Sequence, residues 1–407
     1  MSAFSDYAGT LLAAAPASEI WVRPSEWLDL PTMADTDQRV VILHRVASGE
    51  ANRVAVIAQG NYTVDWGDGS APVNVASGVT AEYAYTYDDP DLLASEMADG
   101  TQQAIISITP QAAQNLTKLV LHVRHSAAPA GYYASGIMDV AVSGPSMTVL
   151  RFGRTDAGTS IKLVDFAHLR QASLYIPAVT DVTYLLHNLT SLRAITRLAI
   201  GAGITNATSM LQSCTSLQSL PSGMTLANVT NATSMLQSCT SLQSLPSGMT
   251  LASVTNATQM LQNCFALQSL PSGMTLASVT NATQMLFACT SLQSLPSGMT
   301  LANVTNATSM LNSCTSLQSL PSGMTLASVT TTTTAFTGCS SLQRAQGLAI
   351  PVTFSISSCN FGAAALDELY TSLPTVVGQT ITVTGNPGIS GDTPAIATGK
   401  GWTVTGS

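Results

Sequence analysis

The chain has 407 residues, and only 9% of them are Asp, Glu, Lys or Arg, far below the share of about a quarter that is usual in soluble proteins. The net charge of −8 and the few basic residues argue against a nucleic-acid partner, because phosphate binding needs clustered Lys and Arg. No apolar run is long enough to span a bilayer, so we expect no membrane insertion.

Residues 1–18 are predicted to form an N-terminal tether. The stretch from Phe4 to Ala15 favours a short helix that ends before Pro16, since proline restricts the residue in front of it. A loosely ordered terminus is the alternative. The start also lacks the basic region of a Sec signal peptide, so export would need another route.

Residues 19–110 are predicted to form a small β-sandwich. Arg39–Val46, Arg53–Ala58 and Ala104–Thr109 are rich in the β-branched residues that favour strands. Aromatic residues alternate in Asn61–Ser70 and in Glu82–Tyr87, which is typical of strands with one buried face. Short strands separated by glycine turns indicate a sandwich.

Part of this region resembles a known module. Tyr-Thr-Val-Asp-Trp-Gly-Asp-Gly-Ser at Tyr62–Ser70 and the later Tyr-Thr-Tyr resemble the polycystic-kidney-disease (PKD) type domain, although the segment between Asp88 and Gly100 is longer and more acidic. The resemblance implies an extracellular spacer with an immunoglobulin-like fold. Asp65 and Asp68 are a weak candidate for a Ca²⁺ site, since two carboxylates are few for calcium. The alternative is that both carboxylates accept hydrogen bonds from amides of the turn.

Residues 111–178 are predicted to be irregular coils that cap the repeats which follow. Strand-like stretches occur at Lys118–Val123, Ile137–Val142, Met147–Phe152 and Ala172–Pro177. A cap is needed because the first of a stack of units would otherwise expose its apolar face.

Near-identical units of 25 residues fill the centre of the chain. Five of them begin at Ile204, Val229, Val254, Val279 and Val304. Degenerate copies begin at Val179 and Val329, so we define residues 179–350 as the repeat block. A fixed period of this length predicts a solenoid or array.

Each unit combines helix and strand signals. In the unit that begins at Val229, Thr230 or Asn231 suits a helix N-cap, and a short strand is expected to end at Pro246. The repeated Asn-Ala-Thr triplets could accept glycans, but their fixed register favours a capping or ladder role. Burial is predicted for the following apolar side chains: Met235, Leu236, Cys239, Leu242, Leu245, Met249, Leu251 and Val254.

Six cysteines recur at the same position of successive units. Leu189 occupies that position in the first degenerate copy, which indicates a slot for an apolar filler, and parallel neighbours suit a disulfide poorly. We therefore predict buried free thiols, with disulfide or metal binding as the alternatives. The seven cysteines are Cys214, Cys239, Cys264, Cys289, Cys314, Cys339 and Cys359.

The units resemble leucine-rich repeats of the BspA type. They share the Val-Thr-Asn, Met-Leu or Met-Phe, Cys, Ser-Leu and Leu-Pro positions of that family, from Val179 to about Ile350. The resemblance implies a leucine-rich-repeat solenoid, and the fold class expected for the whole chain is mainly β with short helices. Proline directly after the strand leucine is a departure that should shorten the strands. Residues 351–407, with a helix at Ala365–Leu373 and a last strand, are predicted to form the C-terminal cap.

The sequence gives little support for catalysis or for a cofactor. From Leu198 to Gln343 there is no Asp, Glu, Lys, Arg or His, whereas general acid–base catalysis needs a titratable group. His122 and His125 are expected on opposite sides of a strand. Asp165 and His168 could form a dyad but have no nucleophile motif beside them. We therefore expect a protein that is not an enzyme and holds no cofactor.

The remaining candidates are surface residues of the repeat block that could contact a glycan or a protein. The strand face is expected to expose Gln218, Ser219, Gln243 and Ser244. The units differ mainly at Phe265 against Thr, at Phe287 and Asn312 against Gln, and at Asn263 and Ala288 against Ser. Of these residues, Phe265, Phe287 and Asn312 are the candidate contacts, and drift without function is the alternative.

The combination of segments resembles tail-fibre or tail-associated proteins of bacteriophages. It rests on Tyr62–Ser70, Thr109–Thr117, the repeats, and a tail with Thr384–Gly388 and Gly399–Val404. The resemblance implies a virion tail protein, released on host lysis, that binds a host-surface glycan or protein through the repeats. Its N-terminal region would join other tail or baseplate proteins, and a homotrimer is one possible assembly. The alternatives are a baseplate or capsid-decoration component and a bacterial surface adhesin.

Overall fold

The computed structural model describes residues 20–49, 52–128, 133–152, 164–224 and 226–407. The predicted tether with its helix from Phe4 to Ala15 lies outside the described residues. Within them the fold is mainly β with a few short helices, which confirms the predicted class at this level.

Most predicted strands are confirmed, with shifts of a few residues at their ends. In chain order the strands are β1 (Arg39–Val46), β2 (Arg53–Gln59), β3 (Tyr62–Asp65), β4 (Val73–Val75), β5 (Thr80–Ala84), β6 (Gln102–Pro110), β7 (Lys118–Val120), β8 (Tyr133–Ala134), β9 (Ile137–Ser143), β10 (Val149–Arg151), β11 (Val164–Asp165), β12 (Gln171–Ile176), β13 (Ala194–Ile200), β14 (Phe354–Ser355), β15 (Gln379–Thr382) and β16 (Trp402–Thr405). The helices are a 3₁₀ turn at Leu93–Ser95, α1 (Ala363–Ser372), a 3₁₀ turn at Pro387–Ser390 and α2 (Ala395–Thr398).

Two sheets share the N-terminal core. The larger has the order β13-β12-β9-β1-β6-β3-β4, and the smaller has the order β10-β7-β2-β5. Side chains from both, such as Ile42, Val56 and Trp66, belong to one hydrophobic cluster. β9, β12 and β13 lie beyond residue 110, so the larger sheet crosses the predicted boundary between 19–110 and 111–178. Those boundaries stay a prediction.

The turn after β3 requires a glycine at Gly67. Gly67 has φ 75°, and a Cβ there would lie 2.3 Å from the carbonyl oxygen of Ile105. Only glycine fits such a close approach in a left-handed conformation. The turn thereby allows Trp66 to enter the core, where its ring stacks on Tyr83 at 5.0 Å.

The N-terminal residues 20–37, here called the strap, pass over the outer face of the larger sheet. Trp27, Leu28 and Leu30 pack there against Leu43 and Met138. This contact explains why β1 is buried along almost its whole length, although it lies in a sheet whose other face already packs on the core.

Successive repeat units are joined by backbone hydrogen bonds, but the helix predicted in each unit was wrong. Alternate amides of one unit donate to carbonyls of the next unit. They therefore do not donate to the carbonyl four residues earlier, as they would in an α-helix. The pairs are Ala232 to Asn256, Ser234 to Thr258, Leu236 to Met260 and Ser238 to Gln262, at 2.8–2.9 Å. The amides of Met235 and Cys239 instead donate to the carbonyls of Ala232 and Leu236, three residues earlier, and so close β-turns.

Left-handed residues make these turns possible. Ser234 and Ser238 have φ 53° and 59°, and the equivalent residues of the other units repeat this conformation. The chain turns twice where a helix was expected, so Asn231 does not cap a helix. Its Oδ1 accepts from the amide and the hydroxyl of Thr233 at 3.1 and 2.6 Å, which is an Asx-turn.

The predicted strand of each unit is shorter than expected. It is reduced to isolated parallel bridges such as Ser269 with Ser294 and Ser319 with Arg344. The proline two residues later has no N–H to donate and ends the ladder. A second series of bridges joins the repeated asparagines from Asn206 to Asn306 and then Thr331.

The C-terminal region continues the stacking. β14, β15 and β16 form a parallel sheet, and the amides of Ile356 and Ser358 donate to the carbonyls of Thr382 and Thr384 at 2.9 Å. The predicted helix is confirmed as α1, and Leu366, Leu369 and Tyr370 form its buried side.

A candidate contact surface on the repeat units

The strand positions of successive units lie side by side. The amide of Gln243 donates to the carbonyl of Gln218 at 3.1 Å, and that of Gln268 donates to the carbonyl of Gln243 at 3.2 Å. The same bond recurs as far as Gln343. Equivalent side chains therefore follow one another at the spacing of a parallel ladder, about 4.8 Å.

Of the four residues predicted on the strand face, Gln218 is not exposed. It is only 8% exposed, and its Oε1 accepts from the amide of Trp21 at 2.5 Å. The strap therefore covers the first position of the series. Gln243 is half-buried, while Ser219 and Ser244 are exposed as expected.

Further along, both side chains of each Gln-Ser pair face solvent. We call this set the contact row, and its members are Gln268, Ser269, Gln293, Ser294, Gln318 and Ser319, all exposed. No Asp, Glu, Lys, Arg or His occurs in the sequence between Arg197 and Arg344, so the row offers amides and hydroxyls without charge. It ends where Arg344 pairs with Glu368 at 2.9 Å. Such a surface can form hydrogen bonds but cannot transfer protons.

The three candidate contact residues at variable positions differ in exposure. Phe265 is 38% exposed and replaces a threonine of the other units. Phe287 and Asn312 are half-buried. Asn312 donates from Nδ2 to the carbonyl of Thr334 at 3.2 Å. Phe265 is thus the most accessible of the three, and whether any of them contacts a ligand stays a prediction.

A ladder of glutamine side chains was missed by the sequence reasoning. The Nε2 of Gln212 donates to the Oε1 of Gln237 at 2.5 Å, and Gln237 donates in the same way to Gln262. Phe287 holds the equivalent position in the next unit, so the series stops there. The recurrence of Gln at the 25-residue period was the signal that could have indicated it.

The threonine side chains of the repeats have a structural role. The hydroxyl of Thr255 donates to the carbonyl of Thr230 at 3.2 Å, and that of Thr280 donates to Thr255 at 3.2 Å. Because their donors are used between units, these threonines stabilise the stack and offer less to a ligand than the contact row.

The predicted burial of the cysteines is confirmed. All seven are buried free thiols, and each of the first six donates from Sγ to a leucine carbonyl of the preceding unit, as Cys264 does to Leu236 at 3.3 Å. Burial raises the pKa of Cys214 to about 12 and raises that of Cys239 well above its usual value. Protonated, enclosed thiols are poor nucleophiles and poor metal ligands.

Asp65 and Asp68 act within the turn after β3. Asp65 accepts from the amide of Gly67 at 3.0 Å. Asp68 accepts from the amide and hydroxyl of Ser70 at 3.2 and 2.6 Å and from the hydroxyl of Tyr83. Burial alone would raise the pKa of Asp68, but these hydrogen bonds together outweigh it and lower the pKa. The described residues contain no group of three or more His, Cys, Asp or Glu that could hold a metal ion.

Three of the histidines are buried within the N-terminal part of the chain. His44 is fully buried and stacks on Tyr85 with ring centroids 5.1 Å apart. Burial lowers the pKa of His44 to about 4, so its ring is neutral at pH 7. His122 and His125 are both buried. The proposed dyad cannot be described, since the side chain of Asp165 lies outside the described residues.

The comparisons with known proteins concern the repeats. Residues 176–274 and 251–347 match a family described as "Mycoplasma protein of unknown function, DUF285". No curated protein matches the chain. Among the described residues, no helix is both long and apolar enough to cross a membrane.

Proposed function

We propose that the chain is a non-enzymatic bacteriophage tail-fibre or receptor-binding protein. Its repeat block would be a leucine-rich-repeat solenoid of the BspA type that contacts a glycan or protein of the host surface. The observation that carries this proposal is the contact row, which presents exposed amides and hydroxyls in register and without charge. A surface of this kind suits recognition by hydrogen bonding and offers no group for acid–base chemistry.

The solenoid part of the proposal is supported by the bonds between units. Each unit donates to its successor through alternate amides, and the apolar side chains of all units, such as Leu236 and Leu261, lie in one continuous cluster. Units that contact only their neighbours are the feature that defines solenoids. The match to the DUF285 family covers the same stretch.

For the N-terminal region we propose a PKD-like module that joins the repeats to the virion. Two sheets with a shared core support it, as does the hydrogen bond from the Tyr85 hydroxyl to the carbonyl of Trp66 at 2.7 Å. Within this proposal, its partners are tail or baseplate proteins, and assembly as a homotrimer is one arrangement.

A bacterial cell-surface adhesin is the second candidate. The observation in its favour is the family match, whose description names a Mycoplasma protein. The same contact row would serve an adhesin equally well, so only the location of the protein separates the two. A baseplate or capsid-decoration role is a third candidate, in which the stack is a spacer.

Deleting residues 204–328 tests the proposal. The deletion removes five whole units and joins Gly203 to Val329, which is the first residue of the next unit, so the 25-residue register is kept. If the repeats bind the host surface, labelled wild-type protein should bind susceptible cells saturably, and the deletion variant should not bind. A variant lacking only residues 254–278 is the matched control for stacking, and it should fold and bind more weakly.

Antibody labelling of intact virions separates the candidates. Label at the tail supports the fibre, and label on the cell envelope in the absence of virions supports the adhesin. Tail label together with undiminished cell binding by the five-unit deletion would refute the receptor-binding role and leave the structural one.

A further inference from the structure

A cleft of about 300 Å³ lies between the strap and the outer face of the larger sheet. Its floor is formed by β9, β12 and β13, and its wall by strap residues from Arg23 to Met33. Apart from Arg197, the residues that line the cleft lie outside the repeat block, and all of them are far from the contact row in sequence. Its volume is at the lower end of the range for small-molecule sites.

The strand register assembles polar side chains on this floor. In the parallel pairs, Gln171 lies opposite Asp139, Ser173 lies opposite Arg197, and Tyr175 lies opposite Ser143. Side chains alternate along each strand, and the intervening residues, such as Ala172 and Leu174, are part of the hydrophobic core. The residues that alternate with these core residues point toward the strap, and most of them are polar.

Asp139 is the unusual member of this floor. It is 1% exposed. Its Oδ2 accepts from the Nε of Arg23 at 3.1 Å and from the Nε2 of Gln171 at 2.9 Å. Its Oδ1 is buried and has no hydrogen-bond partner among the described residues. Burial raises the pKa of this carboxyl group. A buried acceptor without a donor is costly, so the site favours a ligand that brings one.

The charges around the cleft are already paired. Arg197 binds both oxygens of Asp35, and its guanidinium lies 4.4 Å from the centre of the Tyr175 ring. Arg23 binds Asp139 and also reaches Asp29 at 3.4 Å. A cationic ligand would meet Arg23 and Arg197, and an anionic ligand would meet Asp29 and Asp139, so a neutral hydrogen-bonding ligand fits best.

We propose that this cleft binds a neutral, hydroxyl-rich small molecule the size of one sugar residue, with one hydroxyl donating to Oδ1 of Asp139. Gln171, Ser173 and Ser143 line the floor as further polar partners. This site is separate from the contact row, and it does not depend on the function proposed for the repeats. The sugar could be free or the terminal residue of a glycan, since both present the same hydroxyls.

Saturation-transfer NMR on the full chain tests the proposal, with glucose, galactose, mannose and N-acetylglucosamine as probes at millimolar concentration. We expect at least one sugar to receive saturation. Asp139→Asn replaces the acceptor by an amide, so it should weaken binding by about tenfold to a hundredfold, as expected for a lost hydrogen bond to a charged group. Asp29→Asn is the matched control, because it removes a carboxylate at the rim and should bind as the wild type does.

A second variant keeps the test decisive if Asp139→Asn does not fold. Ser173→Phe fills the floor without altering Asp139, and it should abolish binding while thermal unfolding stays close to that of the wild type. Three outcomes would overturn the proposal. No sugar binds, or binding survives both Asp139→Asn and Ser173→Phe, or guanidinium or sulfate binds in the cleft more tightly than any of the sugars, since the site would then prefer a charged ligand. Methyl glycosides and longer glycans that end in the same sugar distinguish a free from a terminal residue.

Binding in the cleft and binding by the repeats can fail separately. The variant lacking residues 254–278 should keep sugar binding in the cleft even though its contact row is shorter. Conversely, Asp139→Asn should leave cell binding by the repeats unchanged.

Discussion

Replacing Ala288 by glycine tests whether the first half of each unit consists of turns or of a helix. Ala288 has φ 56° and lies in the left-handed region, and its amide donates to the carbonyl of Asn312 at 2.8 Å. Ala282, six residues earlier in the same unit, is fully buried and is not among the residues with positive φ. Gly338 holds the position of Ala288 two units later, so the stack already accepts glycine there.

The expected effect follows from three contributions. Glycine costs about 0.5–1 kcal/mol in backbone entropy relative to alanine. Removing a buried methyl group costs about 0.8 kcal/mol. Both losses apply in full at Ala282, so Ala282→Gly should destabilise the chain by about 1.5 kcal/mol. At Ala288 the loss is offset by the release of about 1–2 kcal/mol of left-handed strain, which leaves a change near zero.

The assay is equilibrium urea unfolding of both variants beside the wild type, with amide hydrogen exchange to report on the mutated unit. Exchange is needed because repeat arrays often depart from two-state unfolding. Ala288→Gly should unfold at the wild-type midpoint, and Ala282→Gly at a lower one. Equal destabilisation by the two substitutions would refute the turns, since a helix would treat both alanines alike.

Three further predictions concern side chains that the structure explains. All seven thiols should resist a thiol reagent in the native protein at neutral pH and react after unfolding. The free energy of unfolding should not change with thiol ionisation below the ordinary thiol pKa of 9.0. It should fall as the pH rises from there toward about 12, because the raised pKa of Cys214 keeps the folded thiol protonated while the unfolded thiol ionises. Asn256→Ala removes the acceptor for the amide and hydroxyl of Thr258 and should lower the free energy of unfolding by about 1 kcal/mol, whereas Thr258→Val, which removes only the hydroxyl, should cost less. Asp68→Ala removes the acceptor of the Ser70 and Tyr83 hydroxyls and should lower the free energy of unfolding by about 1–3 kcal/mol at neutral pH. Because the folded pKa of Asp68 is lowered from 3.8, the stability difference between variant and wild type should disappear as the pH falls below that value.

Patterns that depend on neighbouring residues could be predicted from the sequence. The strands Arg39–Val46 and Arg53–Ala58 and the buried cysteines follow from β-branched content and from the 25-residue period. The helix in each unit could not be told from turns, because the spacing of Met235, Leu236 and Cys239 suits both. The deciding factor is the hydrogen bonding between units, because alternate amides donate to carbonyls of the next unit.

Contacts between distant parts of the chain could not be predicted. The strap residue Trp21 covers Gln218, which is 197 residues away. Arg23 meets Asp139 across 116 residues. The sequence does show an aspartate inside the apolar stretch Ile137–Val142, but neither its burial nor its unpaired oxygen is visible without the fold. The exposure of the repeated Gln-Ser pairs could be predicted from the sequence, and the strap explains why Gln218 is buried instead.

Cell binding by a charged variant of the contact row tests the central claim most directly. The variant carries Gln268→Glu, Gln293→Glu and Gln318→Glu, which keep the size of the exposed side chains and place three like charges about 4.8 Å apart. The matched control carries glutamate at the exposed alanines of another turn in neighbouring units, Ala252, Ala277 and Ala302. We expect the first variant to lose saturable binding to host cells and the control to retain it. Equal binding by both variants and the wild type would contradict the claim that the uncharged row contacts the host.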